Sequence, residues 1–222
     1  MSIAENIKEI NNSIPSSVRL IAVSKFHPNE DIIEAYNAGQ RIFGESKAQE
    51  LTKKHEELPK DIEWHFIGHL QTNKIKYIAP FIHLIHSVDS ARLLRNINKE
   101  AKKVNRVIPC LLQVHIAEED TKYGFTFNEC KALLASKEWQ KYTNIQIVGL
   151  MGMATNTDNQ KEINEEFKSL SHFFDEVKET YFPNDELFQE LSIGMSDDYE
   201  IAIENGSTLI RVGSKIFGQR VY

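Results

Sequence analysis

Residues 20–28 read LIAVSKFHP, an apolar run closed by a single lysine. A strand alternates its faces with a period of two, so Ile21, Val23 and Lys25 share one face. Most lysines at strand ends are solvated charges. A lysine set in a partly buried pocket differs, because burial favours the neutral amine. That amine attacks carbonyl carbon and forms a Schiff base. Far along the chain, residues 194–196 (GMS) and 211–214 (RVGS) carry a complementary chemistry. Glycine lets backbone come close to an anion, and N–H groups at a helix start point towards it. The dipole of such a helix start gives only ~0.3–1 kcal/mol, whereas charge-assisted hydrogen bonds give ~1.5–3 kcal/mol each. These glycines could equally be ordinary turn residues.

Elements must bring these groups together. Eight short apolar runs recur along the chain: RLIAVSK, QRIFGES, EWHFIGH, HLIHSVD, IPCLLQVHI, IQIVGLMGM, ELSIGMS and TLIRVGS. They are rich in Ile, Val, Leu and Phe and too short for most helices. Helical patterns separate them. NEDIIEAYNAG starts after Pro28 and stops at Gly39, and SARLLRNINKEAKK and QKEINEEFKSLSHFFDEVKETY carry apolar residues at helical spacing. SDDYEIAIENG reads as a helix capped by Ser196 and ended by Gly206. The stretch up to Asn12 or Ser13 is an amphipathic leading helix with Ile3, Ile7 and Ile10 on one face.

Strand and helix alternating eight times predict a parallel (β/α)8 TIM barrel with an extra N-terminal helix, and residues 1–222 are read as one domain. An open doubly wound sheet is the alternative. In a closed barrel the loops after strands seven and eight lie beside strand one, and sites lie at the C-terminal strand ends. A reactive lysine would then face a phosphate cup. Aldehyde plus phosphate is the pair that pyridoxal 5′-phosphate (PLP) presents.

Composition narrows the partners. The chain has 222 residues, 41% hydrophobic and 26% charged, with a net charge of −6. A mildly acidic chain has no general attraction to nucleic acid or anionic membrane. No apolar run approaches the ~18 residues that would span a membrane, and the first fifteen residues lack the apolar stretch of a signal peptide. Cys110 and Cys130 have no metal-type spacing and suit a reducing compartment. The expected location is the cytoplasm.

The residues also carry a resemblance. AVSK, FGESKAQE, WHFIGHLQTNK, HSVDS, GLMGM, LSIGMSDD and GSTLIRVGSKIFG follow one another in order, and the likeness runs from the leading helix to Tyr222. The chain resembles the pyridoxal phosphate homeostasis proteins (YggS-like or PROSC-like), whose barrel is similar to the N-terminal domain of alanine racemase. The resemblance implies a Schiff base on Lys25 and Arg211 facing the pyridine nitrogen. It implies phosphate contacts from Gly213, Ser214 and Ser196, with Ser192 a weaker candidate. It implies carriage of PLP without robust catalysis, PLP-dependent apoenzymes as recipients, and a monomer or weak homodimer. One departure stands out: the usual FGEN reads FGES, with Ser46 in place of asparagine.

Two other functions compete. A racemase of the same barrel type needs a base on each face of the substrate carbon. Lys25 could serve one face, and no residue is named for the other. Racemases of this fold resemble this chain only in their barrel and add a β domain that supplies a tyrosine, whereas this chain ends at Tyr222. A barrel binding some other phosphorylated ligand would leave Lys25 unexplained. Among further candidates, His65 and His69 are four apart but read as strand and loop, which favours hydrogen bonding over metal ligation. His69 could approach the cofactor. Asn73 and Lys74 are expected to start a helix facing solvent. Met151 and Met153 are expected to fill core, with contact to the cofactor face as the lesser reading.

Overall fold

β-Branched and aromatic residues become strands β1 (Arg19–Val23), β2 (Ile42–Glu45), β3 (Glu63–Phe66), β4 (Leu84–Val88), β5 (Ile108–Gln113), β6 (Ile145–Met151), β7 (Glu190–Ser192) and β8 (Leu209–Val212). Each pairs in parallel with the next, and β8 pairs with β1. The sheet is therefore a closed barrel in chain order, which excludes the open sheet. The computed structural model describes residues 2–118 and 123–218. Tyr222 lies outside the described residues.

The helices are α1 (Ile3–Ser13), α2 (Asn29–Asn37), α3 (Ala48–Glu57), α4 (Ile75–Ile78), α5 (Ala91–Lys103), α6 (Phe127–Ala135), α7 (Gln160–Tyr181), α8 (Tyr199–Glu204) and α9 (Ser214–Phe217). Alternation along the strands separates two apolar layers. Leu20, Ala22, Trp64 and Ile210 face the helices. Ile21, Leu84, Leu111, Met151 and Leu209 fill the barrel interior. Each such buried Leu or Ile contributes ~1.5–3 kcal/mol.

The extra helix α1 starts with a capping box, in which the Ser2 hydroxyl accepts the Glu5 N–H and the Glu5 carboxylate accepts the Ser2 N–H. It buries Ile7 and Ile10. Asn6 Nδ2 donates to the Ile216 carbonyl at 2.9 Å, which ties α1 to α9 at the end of β8.

One expected element is shorter than its pattern. α8 spans only Tyr199–Glu204, and Ser196 is not its cap. Gly194, at φ +93°, turns the chain so that the Asp198 carboxylate accepts the Met195 N–H at 2.5 Å. A Cβ on Gly194 would meet Ala202 Cβ at 2.6 Å, so both the turn and the packing require glycine. Among the described residues, no helix is long and apolar enough to cross a membrane.

Candidate functional site

The C-terminal ends of β1, β7 and β8 surround a cavity of about 330 Å³. Its polar wall is Lys25, Ser196, Asp197, Arg211, Gly213 and Ser214, and Val23, Ile67, Met153 and Met195 complete the lining. Five of the six residues expected from the sequence therefore meet in one place. Ser192 does not line the cavity. It is buried behind Arg211 and holds it.

Lys25 stands two residues beyond the end of β1, in a turn rather than on the strand. The turn is clamped on both sides. The Ser24 hydroxyl donates to Glu45 Oε1 at 2.6 Å, and Lys54 Nζ donates to the Ser24 carbonyl at 2.8 Å. The Phe26 N–H donates to Glu50 Oε1 at 2.7 Å, and Lys54 Nζ also donates to Glu45 and Glu50 at 2.8 and 2.7 Å. Phe26 is held at φ +69°, a conformation that costs energy in a bulky residue. Ser24, Glu45 and Lys54 are all buried. Burial raises the Glu45 carboxyl above its usual range, and Lys54 and the Ser24 hydroxyl oppose that shift. Glu45 and Glu50 are the two acids of FGESKAQE, a segment whose role the sequence did not disclose. Lys54, on α3, gave no signal at all.

Arg211 projects into the barrel from β8 and is 4% exposed. Its Nη1 donates to the Ser192 carbonyl at 2.8 Å and the Ser192 hydroxyl at 2.7 Å, and its Nη2 donates to the Gly152 carbonyl at 2.9 Å. Burial lowers its pKa to about 10, so the guanidinium stays charged at neutral pH. A chain of contacts continues inward. Ser192 Oγ lies 2.9 Å from His86 Nδ1, and His86 Nε2 lies 2.9 Å from His65 Nδ1. Burial pushes both histidines well below their usual value, so both are neutral at pH 7. His65 thus has the expected hydrogen-bonding role, and His86 is a site residue that sequence reasoning missed.

The third wall is backbone. Gly213 precedes α9, and its N–H donates to the Ser196 hydroxyl at 3.2 Å. The Ser214 N–H opens the helical turn, where no intrahelical acceptor exists. A Cβ on Gly213 would sit 3.3 Å from Val23 Cβ and from the Val23 carbonyl oxygen, closer than ordinary contact. The cavity therefore offers an amine, a fixed guanidinium and a cup of N–H and hydroxyl donors.

Comparison with known proteins shows the family. The family model of the alanine racemase N-terminal domain matches residues 1–221. A pyridoxal phosphate homeostasis protein of Aquifex aeolicus is 39% identical over 209 residues, covering 92% of this chain and 88% of its own. The chain belongs to the pyridoxal phosphate homeostasis protein family. PipY of Synechococcus elongatus has been solved without PLP, at 37% identity and a TM-score of 0.92, covering 98% of this chain and all of PipY. PipY has also been solved with PLP bound, at 36% identity, a TM-score of 0.88 and the same coverage.

The remaining candidates of this homeostasis-family chain fall outside the cavity or at its edge. Ser46, the departure from FGEN, lines a separate hollow of about 190 Å³ with His69 and Lys74. His69 Nδ1 lies 3.0 Å from the Asp89 carboxylate and its ring stacks on Tyr123, and it lines this hollow rather than the Lys25 cavity. Thr72–Lys74 form a 3-10 turn before α4, with Asn73 exposed. Met151 is core, while Met153 reaches the cavity wall. Cys110 and Cys130 are buried free thiols, and burial pushes the Cys130 thiol up to about 12.

Proposed function

We propose that this chain binds PLP at the mouth of its barrel and serves PLP homeostasis, holding and passing on the cofactor rather than turning over amino acids. The observation that carries this reading is the meeting of Lys25, Arg211, Ser196, Gly213 and Ser214 in one cavity. The residues fit the group: a side chain on Gly213 would crowd Val23 on the cavity wall, and a fixed cation lines the same cavity as the amine. PLP, when bound, supplies an aldehyde carbon open to amines and a pyridine ring that draws electrons.

Lys25 presents its amine to the aldehyde. Gly213, Ser214 and Ser196 would hold the phosphate through N–H and hydroxyl groups; the Gly213 N–H donates to the Ser196 hydroxyl here. Arg211 faces the ring nitrogen. Three of its N–H bonds are already committed to Ser192 and Gly152, so it is rigid. A charged arginine can only donate, and a ring nitrogen that accepts from it carries no proton and draws electrons weakly. Proton transfer at a substrate carbon also needs a base on each face. Among the described residues lining the cavity, the titratable groups are Lys25, Arg211 and the exposed Asp197. That inventory favours retention over turnover. PLP-dependent apoenzymes of the cytoplasm are the recipients this reading implies.

Borohydride treatment of the PLP-loaded protein, followed by peptide mass spectrometry, should leave a pyridoxyl group on Lys25. A label confined to another lysine refutes the assignment. In deuterated water with L- and D-amino acids, the loaded protein should exchange Cα protons far more slowly than an enzyme. Exchange at ~1 s⁻¹ or faster would replace this reading with the racemase one.

A further inference from the structure

The foot of the barrel, opposite the Lys25 cavity, gathers three groups that do not line that cavity, and of them only His65 is linked to it, through His86 and Ser192. Glu63 opens β3, His65 follows it two residues later, and His83 stands directly before β4. The register pairs His65 with Leu84, and the His83 N–H donates to the Trp64 carbonyl at 2.8 Å. One ligating atom from each of Glu63, His65 and His83 lies within 4.8 Å of the other two. His83 Nε2 is 3.5 Å from Glu63 Oε2. Two donors on a tetrahedral zinc ion, each about 2.0–2.1 Å from it, stand about 3.3–3.5 Å apart.

His65 gives a second and independent observation. It is 1% exposed, and its Nε2 has no hydrogen-bond partner. Its Nδ1 is engaged with His86, so Nε2 is the nitrogen left over. A buried nitrogen without a partner calls for an explanation, and ligation supplies one. The contact to His86 is of the kind that fixes the tautomer and orientation of a metal-bound histidine. His86 is in turn held by Ser192. An exposed Glu63–His83 ion pair would need none of this. Arg19 is the cation nearby, and its charge is matched by Glu190. The His65 and His83 rings lie parallel, 5.5 Å between centroids. His83 is about half exposed and can turn its edge inward while buried His65 stays fixed.

We propose that Glu63, His65 and His83 bind one divalent transition metal ion of the zinc type, through two imidazole nitrogens and a carboxylate, with a fourth position open to water. Two nitrogens in three ligands favour such an ion over magnesium or calcium, which prefer all-oxygen sites. The site lies at the other end of the barrel from Lys25 and does not depend on the cofactor reading.

The full-length chain, stripped with a chelator, is titrated with Zn²⁺ by calorimetry beside Glu63→Gln, His83→Ala and His69→Ala. His69 sits at the mouth beside Asp89 and reports adventitious histidine binding. We expect one Zn²⁺ per parent chain. Binding should be at least tenfold weaker in Glu63→Gln and His83→Ala and parent-like in His69→Ala, with no saturable uptake of Mg²⁺. Circular dichroism should match across all four proteins, because the altered side chains are partly exposed. No saturable Zn²⁺ binding to the parent, or parent-like affinity in both Glu63→Gln and His83→Ala, overturns the proposal.

Discussion

Replacing Lys54 by methionine should unsettle the turn that carries Lys25. Lys54 is 5% exposed, and its ammonium donates to three oxygens, those of Ser24, Glu45 and Glu50. Methionine fills similar space but donates to none of them. Glu45 is fully buried, and its Oε2 already lacks a partner. Removing one member of a buried pair typically costs about 3–5 kcal/mol, because the other charge is left uncompensated. For a chain of this size each kcal/mol moves Tm by about 2–4 °C, so the fall should be roughly 6–20 °C. Burial already holds the Glu45 carboxyl above its usual 4.5, and without Lys54 it rises further. An acid raised in the folded state favours folding below its unfolded value, and that support is lost as pH climbs through the folded one. The deficit of Lys54→Met should therefore be largest at neutral and alkaline pH and shrink on acidification. Glu45→Gln added to Lys54→Met removes the stranded charge and should recover at least ~2 kcal/mol of the loss. Urea melts of the parent, the single and the double variant between pH 5 and 8 provide the test. A loss below ~1 kcal/mol in the single variant, or a double variant no more stable than the single, would refute the clamp.

Three further outcomes follow from the same geometry. Gly213→Asp should keep the barrel but weaken PLP retention strongly, since it sets a side chain against Val23 and a negative charge where the phosphate group is proposed; equal affinity in a titration removes Gly213 from the site. Lys25→Ala should abolish the borohydride-fixed label while leaving weaker, reversible PLP uptake through Arg211 and the cup, so an unchanged label rules out Lys25. His65 and His86 are held well below their usual 6.5 by burial, so they support folding above pH 6.5 and that support falls away as the medium is acidified below it. Each should add a slope of up to ~1.4 kcal/mol per pH unit, and urea melts showing a flat profile from pH 7 to 5.5 would contradict the neutral buried pair.

Some of this was legible in the sequence and some was not, for physical reasons. The strands announce themselves through runs of Ile, Val, Leu and Phe, and Lys25 closes such a run, so its place near a strand end, on the cavity wall, could be read. Helix α3 could not. Its buried face is Ala48, Leu51 and Lys54 at helical spacing, and a lysine where an apolar residue would complete the stripe makes AQELTKKHEE look like a solvated surface. His86 was hidden differently. All five residues of β4 are buried, so no alternation of polarity marks which of them face the barrel axis. Ser196 was misread as a cap because serine followed by acids is the usual signature, and only the turn at Gly194 shows that Asp198 takes the Met195 N–H while Ser196 is free to meet Gly213.

These misses share a cause that bears on how the site works. The groups facing the cavity are few, and two of them, the turn of Lys25 and the guanidinium of Arg211, are held from behind by buried polar contacts that sequence patterning cannot distinguish from surface charge. The turn bearing Lys25 is fixed by Glu45, Glu50 and Lys54, and the guanidinium of Arg211 by Ser192 and Gly152. A cavity set in this way loses little conformational freedom when a ligand enters, which favours affinity. Tight retention with a donor-only partner for the ring nitrogen is the combination a cofactor reservoir needs. An enzyme would need instead a second base close to the substrate carbon. On the proposed function, release to another protein would come from competition for the Lys25 contact. A free amine added in excess should therefore speed transfer of PLP to an apoenzyme, and transfer that is indifferent to added amine would mean that the phosphate cup, and not Lys25, controls the hold.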